Sequence, residues 1–307
     1  MAKRATKAQI LEVLKETRKV RFQEIEASEK MLMQNAGTLQ QKLFNLLMQK
    51  INESVDVKSG NFVSSQGNVN NWTATTFIQD FFDKKANPEM FRFFVDSFGR
   101  LDNVGLAYYS AYQKEGFDQF AEKTIESFKT TLGITQDSLF EGSGFVPKLL
   151  TDTTVQGEVS RAVIQAINEG QSLADFRDLA SNLILGKESK LGVIESHYYT
   201  NAFDSFSVYD RTLNNVFGSE LSLNYAIYQG GTIETTRLFC SERNGKVFNK
   251  ETILSWQSED WDGKKEGHNI LIDAGGWKCR HIYDWISWPL AKRLKPDIER
   301  SKFDTTT

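Results

Sequence analysis

The side chains best suited to chemistry lie in the last quarter of the chain. Both cysteines, Cys240 and Cys279, fall there, together with two of the three histidines, His268 and His281. Thiolate sulfur and imidazole nitrogen are zinc ligands, and a structural zinc site takes four ligands. The interpretation we favour is two buried or neighbouring free thiols with no cofactor. Zinc stays open, as does a disulfide formed after release from the cell, and Arg243 stands where a Cys-x-x-Cys pair would place its second cysteine.

A thiol enzyme is the second chemistry that these residues allow. Cys279 and His281 are two residues apart, a spacing that places both side chains on one face of a strand, where a nucleophile and its base could meet. The sequence contains no Gly-x-Ser-x-Gly, His-Glu-x-x-His or Gly-x-Gly-x-x-Gly motif. We therefore expect no enzymatic activity. The alternative is a metal- or thiol-dependent hydrolase acting on nucleic acid or cell wall.

Two basic segments are candidates for contact with DNA phosphates. One runs from Lys3 to Arg21, and the other lies in the last seventeen residues, which we describe as a basic tail over 291–307. The favoured interpretation is a solubilising surface, since the net charge of −3 gives no overall attraction to nucleic acid. The residues that would touch DNA in the other case are Lys3, Arg4, Lys7, Lys292, Arg293 and Lys295.

The composition is that of an ordinary globular protein. Of the 307 residues, 40% are hydrophobic and 25% are charged, and two cysteines are too few for a disulfide scaffold. The basic N-terminus has no apolar segment behind it, and no stretch has the roughly 18 uncharged apolar residues of a membrane span. We expect a protein that is kept in the cytoplasm or in a particle assembled there, without membrane contact.

Helical patterns dominate the first 220 residues. Apolar spacing predicts helices over 7–53, and Asn35-Ala36-Gly37 marks the expected break, because glycine weakens a helix interior. The first helices are interpreted as part of a bundle, with a protruding coiled coil that docks on a partner as the alternative. Residues 54–71 read as a polar loop and 134–153 as a connector. Further helices are predicted over 73–84, 89–112, 116–131, 154–168, from a Ser172 N-cap onward, and over 190–216.

The pattern changes after Gly218. Residues 223–228 predict a strand, Asn244-Gly245 predicts a hairpin turn, 249–256 a short helix, and 269–272 and 279–285 further strand pieces. Five of the six tryptophans follow Ser255. The predicted fold class is mainly α, with an elongated helical N-terminal part and a small α+β C-terminal domain. The predicted segments are 1–150, a variable helical region; 151–220, a helical linker or bundle; 221–290, the small domain; and the tail 291–307.

One long motif resembles a known family. It reads Tyr-Gln-Gly-Gly-x-Ile-x-Thr-Thr-Arg-x-Phe-Cys-x-x-Arg-x-Gly-Lys-Val-Phe over 228–248, followed by Gly-Gly-x-x-Cys-Arg-His over 275–281. This run is similar to the C-terminal domain of the head-morphogenesis minor capsid proteins of tailed bacteriophages, the Mu F-like group, and the resemblance covers about 155–290. Many members of the group carry a Cys-x-x-Cys pair and a His-Pro-x-Cys-Arg-Cys ending. The chain departs from that pattern at Arg243 and His281.

The resemblance implies a structural protein of the phage head. Its members act at the portal vertex or inner capsid, so it implies the portal protein, the major capsid or a scaffold protein, and phage DNA as partners. It places the protein in the virion, and in the host cytoplasm during assembly. The motif residues expected to shape the small domain are Gly230, Gly231, Thr236, Arg237, Arg243, Gly245, Gly275, Gly276 and Arg280.

Overall fold

The predicted fold class is confirmed. The computed structural model describes residues 7–54, 57–58, 60–62, 67–135 and 142–304. It is 66% helical, with a long N-terminal helical region and a few short antiparallel strands in the C-terminal part. Within these ranges no helix combines the length and the apolar character that crossing a bilayer requires.

The helices and strands follow one another in the order given by their bounds. The helices are α1 Lys7–Ser54, α2 Gly67–Phe81, α3 Asn87–Ser110, α4 Phe117–Leu132, α5 Phe145–Leu150, α6 Thr154–Asn168, α7 Leu173–Ile184, α8 Val193–Asn201, α9 Ser205–Glu220, α10 Leu238–Arg243, α11 Lys250–Ser255, α12 Ile270–Asp273 and α13 Trp288–Leu294. The strands are β1 Val57–Lys58, β2 Asn61–Phe62, β3 Gly186–Lys187, β4 Lys190–Leu191, β5 Tyr225–Gln229, β6 Lys246–Asn249 and β7 Ile282–Ile286. A π-helical turn, Phe82–Ala86, joins α2 to α3, and a 3-10 turn, Trp256–Ser258, follows α11.

The chain forms two compact units, each built from separate stretches of sequence. The first contains Met1–Glu29, Ser97–Phe128 and Asp204–Thr307, and the second contains Lys30–Asp96 and Lys129–Phe203. The predicted small domain, 221–290, thus lies in the first unit together with residues from the N-terminal helix. The division of the sequence at 150, 220 and 290 stays a prediction about domain organisation.

Helix α1 is unbroken, so the break predicted at residues 35–37 is wrong. Its apolar stripe is buried, as the bundle interpretation requires, with Leu39 and Leu43 fully inaccessible. Gly37 has a packing role: a Cβ atom there would lie 2.8 Å from Oε1 of Glu195. Glu195 also accepts a hydrogen bond from Nε2 of Gln40 at 2.6 Å. The missing side chain lets α8 approach α1, and this gain outweighs the propensity cost of about 1 kcal/mol.

Three other expectations about helices and strands are wrong. The segment 190–216 is not one helix, because β4, α8 and α9 divide it, and Gly192 packs so closely on the Ile184 carbonyl that a Cβ atom would overlap it. The strand piece at 269–272 is the short helix α12, capped by the Asn269 side chain. The turn Asn244-Gly245 does not close a hairpin, since helix α10 precedes it and β6 pairs with β5.

The second unit is held by helix packing around a short hairpin. Helix α2 packs along α6, and α6 packs on α7. The hairpin of β1 and β2 places Phe62 edge-on against Phe176, with ring centroids 5.5 Å apart. The predicted N-cap of α7 is confirmed, since Ser172 Oγ accepts a hydrogen bond from the Asp175 backbone N–H at 3.0 Å.

The first unit is centred on a three-stranded antiparallel sheet with strand order β6-β5-β7. All five residues of β7 are buried, because α9 packs directly on this edge strand. Gly218 permits that approach: a Cβ atom there would lie 2.7 Å from the Trp285 ring. Aromatic side chains continue this core, and Phe98 of α3 packs 4.8 Å from the ring of Tyr209 on α9. The strand predicted at 223–228 is therefore the central strand of a buried sheet.

A buried guanidinium joins three elements of the first unit. Arg21 of α1 is fully inaccessible to solvent. It donates Nε and one terminal nitrogen to the two oxygens of Asp210 on α9, at 3.1 and 3.0 Å, and its other terminal nitrogen to Asp284 on β7 at 2.7 Å. The two carboxylates raise the pKa of Arg21, and burial raises the pKa of Asp284 to about 6. Arg21 is thus an internal structural residue of its basic segment.

Removal of this guanidinium should make the folded protein much less stable. Arg21→Ala leaves two carboxyl groups in the interior without their cation, and we expect it to lower the free energy of unfolding by about 3–5 kcal/mol. Arg18→Ala is the matched control: Arg18 lies 4.0 Å from Asp284 but is one-third exposed, so its loss should cost less than about 1 kcal/mol. Urea titration followed by circular dichroism measures both. Equal stabilities of the two variants would contradict this role of Arg21.

Candidate metal centre

The two cysteines and His281 come together inside the first unit. Cys240 lies in the middle of α10, whereas Cys279 and His281 lie on the segment that leads into β7. The two sulfur atoms are 3.8 Å apart, and Nδ1 of His281 lies 3.8 Å from the sulfur of Cys279. All three potential ligand atoms lie within 4.8 Å of one another. The three side chains are buried, with 2%, 4% and 3% of their surface exposed, and this group could hold a metal ion.

Hydrogen bonds polarise the two thiols in opposite directions. Cys279 Sγ accepts from the backbone N–H of Gly275 at 3.2 Å and from that of His281 at 3.4 Å. The Cys240 thiol and these surroundings lower the pKa of Cys279, while the same contact with Cys279 raises the pKa of Cys240. The guanidinium of Arg211 adds positive charge nearby, donating to the carbonyls of Cys279 and His281 at 2.9 Å each. This shared contact therefore favours the charged form of Cys279 and the neutral form of Cys240.

A tyrosine that the sequence analysis did not single out completes the cluster. The hydroxyl of Tyr228, on the central strand β5, donates to Cys240 Sγ at 3.3 Å and lies 3.8 Å from Cys279 Sγ. Its ring stacks on that of His281, with centroids 5.0 Å apart and planes 9° from parallel. Tyr228 opens the long motif, and its position two residues before Gly230 was the signal in the sequence that could have identified it.

His268, the fourth residue proposed as a structural or metal-binding group, lies outside this cluster. Its ring is packed 5.1 Å from that of Trp261, and Nδ1 lies 3.9 Å from an oxygen of Asp273. Burial lowers the pKa of His268, which favours the neutral imidazole. Among the residues that the structure describes, the Cys-Cys-His group is the only one of its kind with ligand atoms so close together. His268 is a packing residue of the turn before α12.

The motif glycines make room for the cluster. A Cβ atom on Gly275 would overlap the sulfur of Cys240 and approach that of Cys279 to 2.9 Å, and one on Gly230 would lie 2.8 Å from the His281 ring. Gly276 has φ of 93° and Gly245 has φ of 76°, a region that favours glycine. A Cβ atom on Gly231 would come 3.2 Å from the Phe22 ring, so this glycine also serves close packing.

The Asn244-Gly245 turn binds the neighbouring loop. The Asn244 side chain accepts from the Gly230 backbone N–H at 2.9 Å and donates to its carbonyl at 3.2 Å. The Gly245 N–H donates to the Tyr228 carbonyl at 2.7 Å. These bonds hold the end of β5 against the turn that follows α10. Strand β5 carries Tyr228, and helix α10 carries Cys240.

The motif hydroxyl and arginines are structural as well. Thr236 Oγ1 accepts from the Ile233 N–H at 2.7 Å, and Arg237 donates to the Trp277 carbonyl at 2.6 Å. The guanidinium of Arg243 lies 4.0 Å from the centre of the Phe239 ring. The same group donates to Glu259 at 2.7 Å. Arg243 thus forms an ion pair, whereas Arg237 binds a backbone carbonyl.

Arg280, in the second motif segment, lies beside a buried carboxyl group. Nε of Arg280 lies 3.5 Å from Glu29, a buried residue of α1 that also accepts a hydrogen bond from Ser207 Oγ at 3.2 Å. Burial raises the pKa of Glu29 to about 7, and the nearby charges of Asp204 and Glu26 add to this. Arg280 and the Ser207 bond lower the pKa but do not offset the burial.

Three of the basic residues proposed for DNA contact have described side chains, namely Lys292, Arg293 and Lys295. Lys3 and Arg4 lie outside those residues, and so does the side chain of Lys7 at the start of α1. Lys292 and Arg293 are in the last turn of α13, where Lys292 donates to the Ile298 carbonyl at 3.5 Å. Lys295 follows that helix, with Nζ 5.7 Å from the centre of the Phe248 ring. Contact with DNA by these residues stays a prediction.

Comparisons of the chain with protein-family models, with curated proteins and with solved structures find no match.

A methyl group at position 275 should disrupt the cluster. Gly275→Ala forces a carbon into the space of the two sulfur atoms, and we expect the free energy of unfolding to fall by about 1–3 kcal/mol. Gly99→Ala, in helix α3, is the control because nothing lies within 4 Å of the added carbon there. The control should be neutral or stabilise the helix slightly. Thermal unfolding compares the two, and an unchanged Gly275→Ala protein would refute the packing of this glycine.

The buried carboxyl of Glu29 should make stability depend on pH. The folded protein binds a proton there below about pH 7, while the unfolded chain binds it only below the ordinary value of 4.5. The folded state therefore holds more protons in this window, and the free energy of unfolding falls as pH rises through it. Glu29→Gln should remove about 1–3 kcal/mol of that decline. Urea midpoints at pH 5 and pH 8 measure the effect, with the exposed Glu16→Gln as control; parallel profiles for all proteins would exclude it.

Proposed function

We propose that this protein is a minor head protein of a tailed bacteriophage, which acts in head morphogenesis at the portal or inner capsid. One observation carries the proposal. The separated segments that resemble the Mu F-like group, 228–248 and 275–281, converge on one buried Cys-Cys-His centre. The glycines, threonine and arginines of the motif are used in packing and in hydrogen bonds around that centre. A motif whose residues pack around one buried centre suits a protein with a structural role.

The burial of the centre supports a structural role over turnover. A cysteine nucleophile must reach its substrate, whereas Cys279 is 4% exposed and its sulfur is enclosed by Gly275, Tyr228 and Cys240. A thiol-dependent hydrolase would have to open this interior in each cycle. The lowered pKa of Cys279 beside His281 is the feature that the hydrolase alternative would use. In the proposed structural role, the same lowered pKa favours the thiolate form of Cys279, which is the form that binds a metal ion.

We infer that the ion suited to the centre is zinc, in a structural role. Two sulfurs and an imidazole nitrogen are the ligands of closed structural zinc sites. The three residues come from α10 and from the segment before β7, so a bound ion would cross-link two stretches that are 39 residues apart. Metal binding to residues that are separated in the unfolded chain contributes directly to folding.

The proposed partners are the portal protein, the major capsid or scaffold protein, and phage DNA during packaging or ejection. The protein would be found in the phage head, and in the host cytoplasm while heads assemble. It would be present in few copies, so the test needs a sensitive measurement of particle composition.

Particle composition tests this proposal directly. Cells are infected with phage that carries either the wild-type gene or the Cys240→Ser/Cys279→Ser variant. Procapsids and filled heads are purified from these cells, and their peptides are quantified by mass spectrometry. We expect the wild-type protein in procapsids at far fewer copies than the major capsid protein. Absence of the wild-type protein from heads at every stage would overturn the proposal.

Two single variants of the centre, Cys279→Ser and His281→Asn, separate the hydrolase alternative. In the structural role, Cys279→Ser and His281→Asn lower the melting temperature, and head assembly fails in proportion to that loss of stability. In the hydrolase, a variant that keeps the wild-type melting temperature loses hydrolysis of nucleic acid or cell wall. Arg18→Ala, on the surface of α1, is the control that should leave both assembly and stability unchanged.

A further inference from the structure

The Cys-Cys-His centre supplies three ligands, whereas a closed structural zinc site has four. We propose that the hydroxyl oxygen of Tyr228 is the fourth ligand. This inference rests on the zinc site put forward above and names the residue that would close it. His268, the histidine suggested by the sequence, does not fill this position because it packs against Trp261.

The distances fit a tetrahedral ion. With zinc–sulfur bonds of about 2.3 Å, tetrahedral geometry separates two sulfurs by about 3.8 Å, and a sulfur from an oxygen ligand by about 3.5 Å. The sulfurs of Cys240 and Cys279 are 3.8 Å apart, and the Tyr228 oxygen lies 3.3 Å from one and 3.8 Å from the other. Nδ1 of His281 lies 3.8 Å from Cys279 Sγ. Separations within the Cys-Cys-His group extend up to 4.8 Å, so the His281 ring would have to move toward the sulfurs for one ion to contact all the ligands.

The surroundings leave Tyr228 as the nearest remaining donor. Its ring is buried and held parallel to that of His281, so both side chains present polar atoms to the same space beside the sulfurs. Within the described part of the chain, no carboxylate joins the group. The three residues are buried away from bulk water. A tyrosine oxygen would close the coordination in place of the water ligand that is usual in catalytic zinc sites.

The charges balance when the phenol coordinates. Zinc with two thiolates is neutral, and a tyrosinate would add one negative charge. Arg211 is buried and supplies one positive charge through hydrogen bonds to the carbonyls of Cys279 and His281. Binding would release to solvent the protons that the two cysteine thiols and the Tyr228 phenol carry. The coordination of an anionic oxygen is thus compensated within the interior.

The geometry of the ligand backbone agrees with a metal thiolate. The N–H groups of Gly275 and His281 both point at Cys279 Sγ. Hydrogen bonds of this kind orient a coordinating sulfur and hold its charge, as second-shell bonds do in metal sites. Tyr228 is itself anchored, since its backbone carbonyl accepts from Gly245 at 2.7 Å.

Cobalt(II) binding to the full-length protein tests the assignment. The metal-free protein is titrated with Co²⁺, then with competing Zn²⁺, and absorption in the visible and near ultraviolet reports coordination number and thiolate ligands. We expect one ion per wild-type chain in a four-coordinate site, with a tyrosinate band in the ultraviolet difference spectrum. Tyr228→Phe should lose that band, change the visible spectrum and bind Zn²⁺ about tenfold to a hundredfold more weakly.

Tyr283→Phe is the matched control. Tyr283 is equally buried on the adjacent strand β7, but its hydroxyl donates to the Ile270 carbonyl at 2.8 Å. This variant should keep the wild-type cobalt spectrum even where its stability falls. If Tyr228→Phe does not fold, the tyrosinate band of the wild-type protein decides the question alone, and its absence overturns the assignment.

The outcomes distinguish the ligand from the site and from the function. A Tyr228→Phe protein with wild-type affinity and spectrum overturns the tyrosine ligand and leaves the zinc site standing. A wild-type protein that binds neither ion stoichiometrically overturns both. Neither result bears on the head-protein role, which particle composition tests separately.

Discussion

The buried guanidinium of Arg21 is the interaction on which the first unit depends. Its three nitrogens donate hydrogen bonds to Asp210 and Asp284, which belong to the helix and the strand that pack against each other at the centre of the unit. Neither carboxylate could be enclosed without a cation, because an unpaired buried charge costs several kcal/mol. The close packing of α9 on β7, the orientation of β7, and hence the position of the thiol centre at its start all follow from this arrangement.

A second constraint is the amount of polar chemistry kept inside the same unit. Arg211 binds backbone carbonyls near the thiols, Glu29 lies against Arg280, and Tyr209 donates to Asp102. Buried polar groups add little net stability, but each requires its partners in one geometry. The packing of this interior is therefore fixed by the directions of its hydrogen bonds as well as by the volumes of its side chains. Such an interior is suited to holding a defined shape, the task that the proposed role in a phage head demands.

Features that depend on short sequence patterns were predictable, whereas features that depend on contacts between distant residues were not. The Ser172 cap, helix α6 and strand β5 follow from short patterns of caps and apolar residues, and the structure contains all three. The continuity of α1 through Gly37 depends on Glu195, and the fate of Asn244-Gly245 depends on Gly230. Arg21 reads as a surface charge because its partners are more than 180 residues away. Tyr228 has an aromatic side chain on a buried strand, and only the fold places its hydroxyl beside the sulfurs.

The first unit is assembled from both ends of the chain, and this has a consequence for how the protein is made. Arg21 and Asp284 are 263 residues apart, so the N-terminal helix leaves the ribosome long before its strand partner exists. Pairing over such a separation has a large loop-closure cost and comes late in folding. Until residue 284 has emerged, Arg21 lacks one of its two carboxylate partners and the first unit lacks strand β7. Completion of this unit therefore requires that synthesis has passed residue 284, and chains terminated before that point would be left to proteolysis and chaperones.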